Sequence, residues 1–61
     1  MTRKDYIAIA AAFRVERPGK VDASLYYQWH KDLLSITDVL QYDNPRFNRE
    51  RFLRAAGAIE R

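Results

Sequence analysis

The sequence predicts an all-α fold, a compact three-helix domain with a long central helix. Apolar side chains recur every three or four residues in three segments, at about residues 3–16, 23–42 and 49–56. Two helix-breaking dipeptides, Pro18-Gly19 and Asn44-Pro45, separate these segments. The alternation of apolar and polar residues that is typical of half-buried strands is missing from all three.

The first helix is predicted from a capping sequence and a run of alanines. Thr2 followed three residues later by Asp5 resembles a capping box, in which each residue bonds to the backbone of the other. Alanine is the best helix former, and the segment is rich in it. One stripe of the helix carries Tyr6, Ile9 or Ala10, and Phe13. The small alanines on this face allow another helix to approach closely.

The second helix has the strongest pattern in the sequence. Asp22 or Ser24 is suited to cap its first turn. At about 100° per residue, five large apolar side chains fall within one quarter of the helical wheel. These are Leu25, Trp29, Leu33, Ile36 and Leu40, with Tyr26 and Val39 beside them. We expect this stripe to be the core face against which the other two helices pack.

The third helix is short, and local signals define both of its ends. Asn48 is a favourable N-cap, and Phe47 and Phe52 hold the positions of a hydrophobic staple around it. Gly57 follows the last helical residue, where a left-handed cap belongs. Because so short a helix is unstable alone, we expect it to dock on the second helix. The docking residues are Phe52, Leu53 and Ala56.

Length and composition limit the class of protein. A chain of 61 residues is long enough for a single domain with a thin core. We therefore expect residues 1–61 to form one helical domain. A hydrophobic fraction of 48% is too high for a disordered tail. The longest uncharged apolar run, residues 6–13, is far short of the ~20 residues of a membrane span. With no cysteine and no signal-peptide pattern, we expect a complete cytoplasmic protein that does not bind membranes.

Both ends of the chain resemble small uncharacterised proteins of bacteriophages and prophages. The shared features are the opening Met1-Thr2-Arg3-Lys4-Asp5-Tyr6-Ile7-Ala8 and the closing NPRFNRERFLRAAG at residues 44–57. The tail follows an Asn-Pro-x-Phe-(Asp/Asn)-Arg-x-Arg-Phe pattern. Many of those proteins carry cysteine immediately before the glycine, where this chain has Ala56. The resemblance implies a phage origin, and therefore the cytoplasm of an infected or lysogenic bacterium, but it brings no activity.

Charge is distributed unevenly along the chain. Residues 1–20 and 44–61 each carry five basic and two acidic side chains, whereas residues 21–43 carry one basic and four acidic ones. One interpretation is that the basic flanks pair with the acidic second helix across the helix interfaces. Another is a basic face that binds nucleic acid or an acidic protein. Arginine outnumbers lysine eight to three, which suits bidentate contacts to phosphate or carboxylate groups.

Catalysis is not expected from this sequence. His30 is the only side chain whose ordinary pKa is close to neutrality, and no carboxylate lies one helical turn away to orient it. We interpret His30 as a residue at the border of the apolar stripe. A single histidine without cysteines does not make a zinc site, and neither glycine belongs to a phosphate-binding loop. We therefore expect no enzyme, no metal, no cofactor and no small-molecule substrate.

Binding to a protein partner, or self-association, is the function that the sequence favours. Tyr27 and Leu34 are seven residues apart and stack on a side of the second helix away from the main stripe. If the short helices leave this side uncovered, it can form a tyrosine-rich interaction surface; alternatively, they cover it completely. The hypothetical partner-binding residues are Tyr27, Leu34, Tyr42, Arg46, Arg49, Arg51 and Arg54. The partner would be a host or phage protein.

The alternative function is a small DNA-binding regulator. The second and third helices can be interpreted as a helix-turn-helix, with Arg49, Arg51 or Arg54 of the third helix in the major groove. Several features disfavour this motif. The connection at residues 42–47 contains proline and exceeds the usual 3–4 residues, the second helix is long, and Phe52 and Leu53 are needed for docking.

Overall fold

Three helices account for most of the structure. The computed structural model describes residues 2–59; Met1 of the shared opening, and Glu60 and Arg61 of the basic tail, lie outside this range. The helices are α1 (Arg3–Val15), α2 (Ala23–Asp43) and α3 (Arg49–Ala55). The all-α three-helix prediction is confirmed, and each predicted boundary lies within one residue of the observed one. The 21 residues of α2 span about 31 Å, close to the 34 Å long axis of the molecule.

The N-terminus of α1 is capped by Asp5, as the capping-box pattern predicts. Its carboxylate accepts hydrogen bonds from the Thr2 backbone N–H at 2.8 Å and from the Thr2 hydroxyl at 3.2 Å. These two bonds, the backbone one foremost, hold the pKa of the Asp5 carboxyl below its ordinary value of 3.8. The carboxylate is therefore ionised at neutral pH, at the helix end where the macrodipole favours negative charge.

The other two N-termini are also capped by side chains. Asp22, rather than Ser24, caps α2 and accepts a hydrogen bond from the Leu25 backbone N–H at 3.1 Å. Asn48 caps α3 and accepts from the Arg51 backbone N–H at 3.0 Å. Each bond satisfies a backbone donor that would otherwise lack a helical partner.

The C-terminus of α3 ends in a Schellman motif around Gly57. The Ala58 N–H donates to the Leu53 carbonyl at 2.9 Å, and the Gly57 N–H donates to the Arg54 carbonyl at 3.1 Å. Gly57 has a φ of +89°, which glycine adopts at little cost. A Cβ there would also lie 2.9 Å from a guanidinium nitrogen of Arg17, which donates to the Gly57 carbonyl at 3.0 Å. The predicted C-cap is confirmed.

The core face of α2 is turned by about 35° from the predicted stripe. Trp29, Leu33 and Leu40 are buried as predicted, but Leu25 and Ile36 are 59% and 40% exposed, so their assignment to the core was wrong. Thr37 is completely buried instead. Its hydroxyl donates to the Leu33 carbonyl at 2.7 Å, so that burial leaves no polar atom unpaired. The residues flanking the stripe also differ: Tyr26 is half-buried, whereas Val39 is exposed.

The short helix α3, rather than α2, lies at the centre of the packing. Both α1 and α2 approach α3 closely, and α1 is nearer to α3 than to α2. The expectation that α1 packs mainly on α2 was therefore wrong. The reason lies in the side chains: Ala10 and Ala56 are buried and small, which allows close helix approach, whereas Trp29 is large. The Trp29 indole N–H donates to the Phe13 carbonyl at 2.9 Å and joins α2 to the end of α1.

Candidate binding groove between α1 and α3

A groove of about 460 Å³ runs between α1, α3 and the loop that connects α2 to α3. We call it the α1–α3 groove. Its apolar lining is formed by Tyr6, Ile7, Ala10, Phe47, Phe52 and Ala55. Its polar lining is formed by Arg3, Asn44, Arg46, Asn48 and Arg51. Acidic side chains are missing from both sets.

Three aromatic rings build the floor of the groove. The Phe47 ring centroid lies 4.8 Å from that of Tyr6 and 5.3 Å from that of Phe52, both in tilted arrangements that aromatic pairs favour. The second contact confirms the predicted hydrophobic staple around Asn48. The Asn44 side-chain amide donates to the Tyr6 hydroxyl at 3.2 Å and attaches the loop to α1. The floor therefore combines the local staple of α3 with a long-range contact to Tyr6 of α1.

One apolar side chain in this groove remains largely open to solvent. Ile7 is 60% exposed, although Phe47 and Phe52 beside it in the lining are 7% and 4% exposed. Ala55 lies on α3 and is also exposed. The floor thus contains the buried rings of Phe47 and Phe52, while the open side of the groove presents aliphatic surface.

Ion pairs within the described residues distinguish the arginines of α3 from those of the groove. Arg49 pairs with Asp38 of α2 at 2.6 Å, and Arg54 pairs with Glu50 one turn earlier at 2.7 Å. Pairing of the basic flanks with α2 therefore occurs in part, through Arg49. Within residues 2–59, no carboxylate lies within 4.0 Å of the guanidinium groups of the three groove arginines, Arg3, Arg46 and Arg51. The groove consequently combines apolar surface with uncompensated positive charge.

The predicted tyrosine-rich surface on α2 is not one continuous patch. Tyr27 and Tyr42 are exposed, at 67% and 83%, but Leu34 is half-buried and packs against the core. Of the two alternatives for this side of α2, Leu34 therefore fits neither fully, because it is covered in part. Fifteen residues of helix separate the two tyrosines by about 22 Å. The Lys31 ammonium lies over the Tyr27 ring, 5.9 Å from its centroid.

The predicted arginine set is also split by the fold. Arg46 and Arg51 line the α1–α3 groove, whereas Arg49 and Arg54 are held in the ion pairs described above. In addition, Phe52 and Leu53 are buried, so one side of α3 faces the core. Of the three α3 arginines proposed for a helix-turn-helix, Arg51 is the one without an ion pair within the described residues.

Sequence reasoning missed the contribution of α1 to the groove. Arg3 and Ile7 are four residues apart, which places them on the same side of a helix. Ile7 also lies outside the Tyr6–Phe13 stripe, although it is as apolar as the residues within it. The sequence signal for this part of the groove was an apolar side chain that lies beside the main stripe and one turn from an arginine.

The His30 side chain lies beside other aromatic rings of α2. It is half-buried, its ring stacks near Tyr26 at 6.2 Å, and it lies 6.4 Å from the Trp29 ring. This agrees with its interpretation as a border residue of the apolar face. Across residues 2–59, groups of three or more histidine, cysteine, aspartate or glutamate side chains arranged for a metal ion are absent.

Comparison of the chain with protein-family models, with curated proteins and with solved structures found no match. Among the described helices, none combines the length and the apolar character required to span a bilayer.

Proposed function

We propose that this protein is a non-enzymatic binding protein that takes a segment of a partner protein into the α1–α3 groove. The observation that carries the proposal is the exposed aliphatic surface of Ile7 between buried aromatic rings and three arginines that have no ion-pair partner among residues 2–59. The resemblance to phage and prophage proteins favours a host or phage protein as the partner, in the bacterial cytoplasm.

The size and lining of the groove suit a protein ligand. The groove encloses about 460 Å³, within the range of about 300–1,000 Å³ that is typical of small-molecule pockets, so it has room for one or two side chains of a partner. Protein interfaces concentrate their binding energy in aromatic residues and arginine near the centre of the contact. Tyr6, Phe47 and Arg51 provide both kinds of residue in one place.

Binding to DNA remains the alternative proposal, and the ion pairs weigh against it. Arg49 and Arg54 would have to break contacts of 2.6 and 2.7 Å to reach phosphates. An apolar floor contributes little to a phosphate contact, since affinity for the DNA backbone comes mainly from released counterions. A partner that places an apolar side chain on Ile7 uses the whole groove, whereas a phosphate backbone uses only its three arginines.

Display selection of random peptides on the immobilised protein tests the proposal. We expect enriched peptides to carry a large apolar side chain, and Ile7→Gln to weaken their binding at least about fivefold by removing aliphatic contact area. Val15→Gln is the matched control, since Val15 is an 80% exposed aliphatic residue of α1 outside the groove. Circular dichroism of both variants verifies that the helices are retained.

Two results would overturn the proposed function. The first is a display selection in which none of the enriched peptides binds the wild-type protein more tightly than the Ile7→Gln variant. The other is tight, strongly salt-dependent binding of generic duplex DNA by a protein that binds no peptide, because that pattern is the signature of phosphate recognition.

A further inference from the structure

We infer that the segment bound in the α1–α3 groove is acidic and carries a large apolar side chain between its carboxylates. This inference rests on the proposed function and specifies the chemistry of the partner. The three groove arginines come from three different elements: Arg3 from α1, Arg46 from the connecting loop and Arg51 from α3. Together they place cations around the apolar floor on several sides.

Charge complementarity supports an acidic occupant. None of the residues lining the groove is acidic, and the described residues supply no ion-pair partner to its three arginines. A neutral or basic segment would leave these cations next to newly buried apolar surface, which costs free energy as water is excluded. Carboxylates remove this cost and form charge-assisted hydrogen bonds with the planar guanidinium group.

A second copy of this chain is a less suitable occupant than a different protein. The exposed acidic and apolar surface of the chain lies near the end of α2, where Asp38, Val39, Tyr42 and Asp43 line a shallow depression. By helical geometry, Val39 and Tyr42 lie on the side of α2 opposite the buried Leu33 and Thr37. The groove is formed by α1 and α3, which pack on the buried side. Docking between copies would therefore be head-to-tail and would build rings or open chains rather than the common two-fold dimer.

Four short labelled peptides of equal length provide the test. Three share a central leucine or phenylalanine anchor and differ only in their flanking residues, which are glutamate, glutamine or lysine. The fourth keeps the glutamates and replaces the anchor by serine. Fluorescence anisotropy with the full chain should give the tightest binding for the anchored acidic peptide, with affinity about tenfold weaker for the anchored glutamine peptide.

Variants of the groove arginines show whether this preference comes from the groove. Arg3→Gln, Arg46→Gln and Arg51→Gln should each weaken binding of the anchored acidic peptide about two- to fivefold and leave the glutamine peptide nearly unaffected. Arg14→Gln is the matched control, since it removes the same charge from α1 outside the groove. Raising the salt concentration from about 0.05 M to about 1 M should reduce the difference between the two peptides.

The outcomes separate this inference from the proposed function. If the glutamine peptide binds as tightly as the acidic one and Ile7→Gln weakens both, the acidic specificity is wrong while groove binding stands. If none of the four peptides binds although a display-selected peptide does, the inference is overturned while the proposed function stands. If sedimentation shows self-association that Ile7→Gln abolishes, the occupant is a second copy and the inference is overturned.

Discussion

Replacement of Leu33 by alanine is expected to remove most of the stability of the protein at 25 °C. The Leu33 side chain is completely buried at the middle of α2. Truncation of such a residue costs about 2–5 kcal/mol, because transfer free energy is lost and a cavity remains. A single-core domain of this size rarely has more than about 3–5 kcal/mol of stability. Urea titration followed by far-ultraviolet circular dichroism measures the effect.

Leu25→Ala is the matched control for this experiment. It makes the same chemical change two turns earlier in α2, at a side chain that is 59% exposed. We expect it to cost less than about 1 kcal/mol, since little apolar area is removed from the interior. Equal destabilisation by the two changes would contradict the observed core and restore the stripe that the sequence predicts.

Replacement of Phe47 by alanine is expected to destabilise the protein by about 3–5 kcal/mol and to detach α3. The Phe47 ring contacts both Tyr6 of α1 and Phe52 of α3, so its loss removes an aromatic contact that links these helices. α3 has only seven residues and is too short to persist without such packing. Amide hydrogen exchange measured by NMR should show loss of protection in α3 before α2.

Phe47→Leu serves as the control, because it retains most of the apolar volume while losing the two ring contacts. We expect a loss of about 1–2 kcal/mol, with α3 still protected, since such ring pairs contribute about 0.5–1.5 kcal/mol beyond area burial. If Phe47→Ala leaves α3 fully protected, the aromatic floor is not what holds this helix in place.

Helix ends were predictable because short-range chemistry sets them. Asp5, Asn48 and Gly57 act through bonds to residues within five positions along the chain, so the sequence contains all the required information. The rotation of α2 was not predictable in the same way. Whether Leu25 or Thr37 is buried depends on where α1 and α3 sit, and the helical period alone does not contain that position.

In the candidate site, too, the features set by short-range contacts were predictable and those set by the fold were not. Apolar residues that dock α3 were predicted, and Phe47 and Phe52 form the floor of the groove. The distinction among arginines required the fold, because Arg49 reaches Asp38 eleven residues earlier across the α2–α3 interface. With Arg49 held by Asp38 and Arg54 held by Glu50, Arg46 and Arg51 remain with Arg3. The candidate basic surface therefore lies in the groove between α1 and α3 and not on α3 alone.

Chemical-shift mapping provides the most direct test of groove binding. Nitrogen-15-labelled protein is titrated with a peptide enriched in the display selection, and amide shifts are followed for every assigned residue. We expect the largest changes around Arg3, Ile7 and Arg51. Largest changes on α2 around Tyr27 and Leu34, with the groove unaffected, would contradict the account.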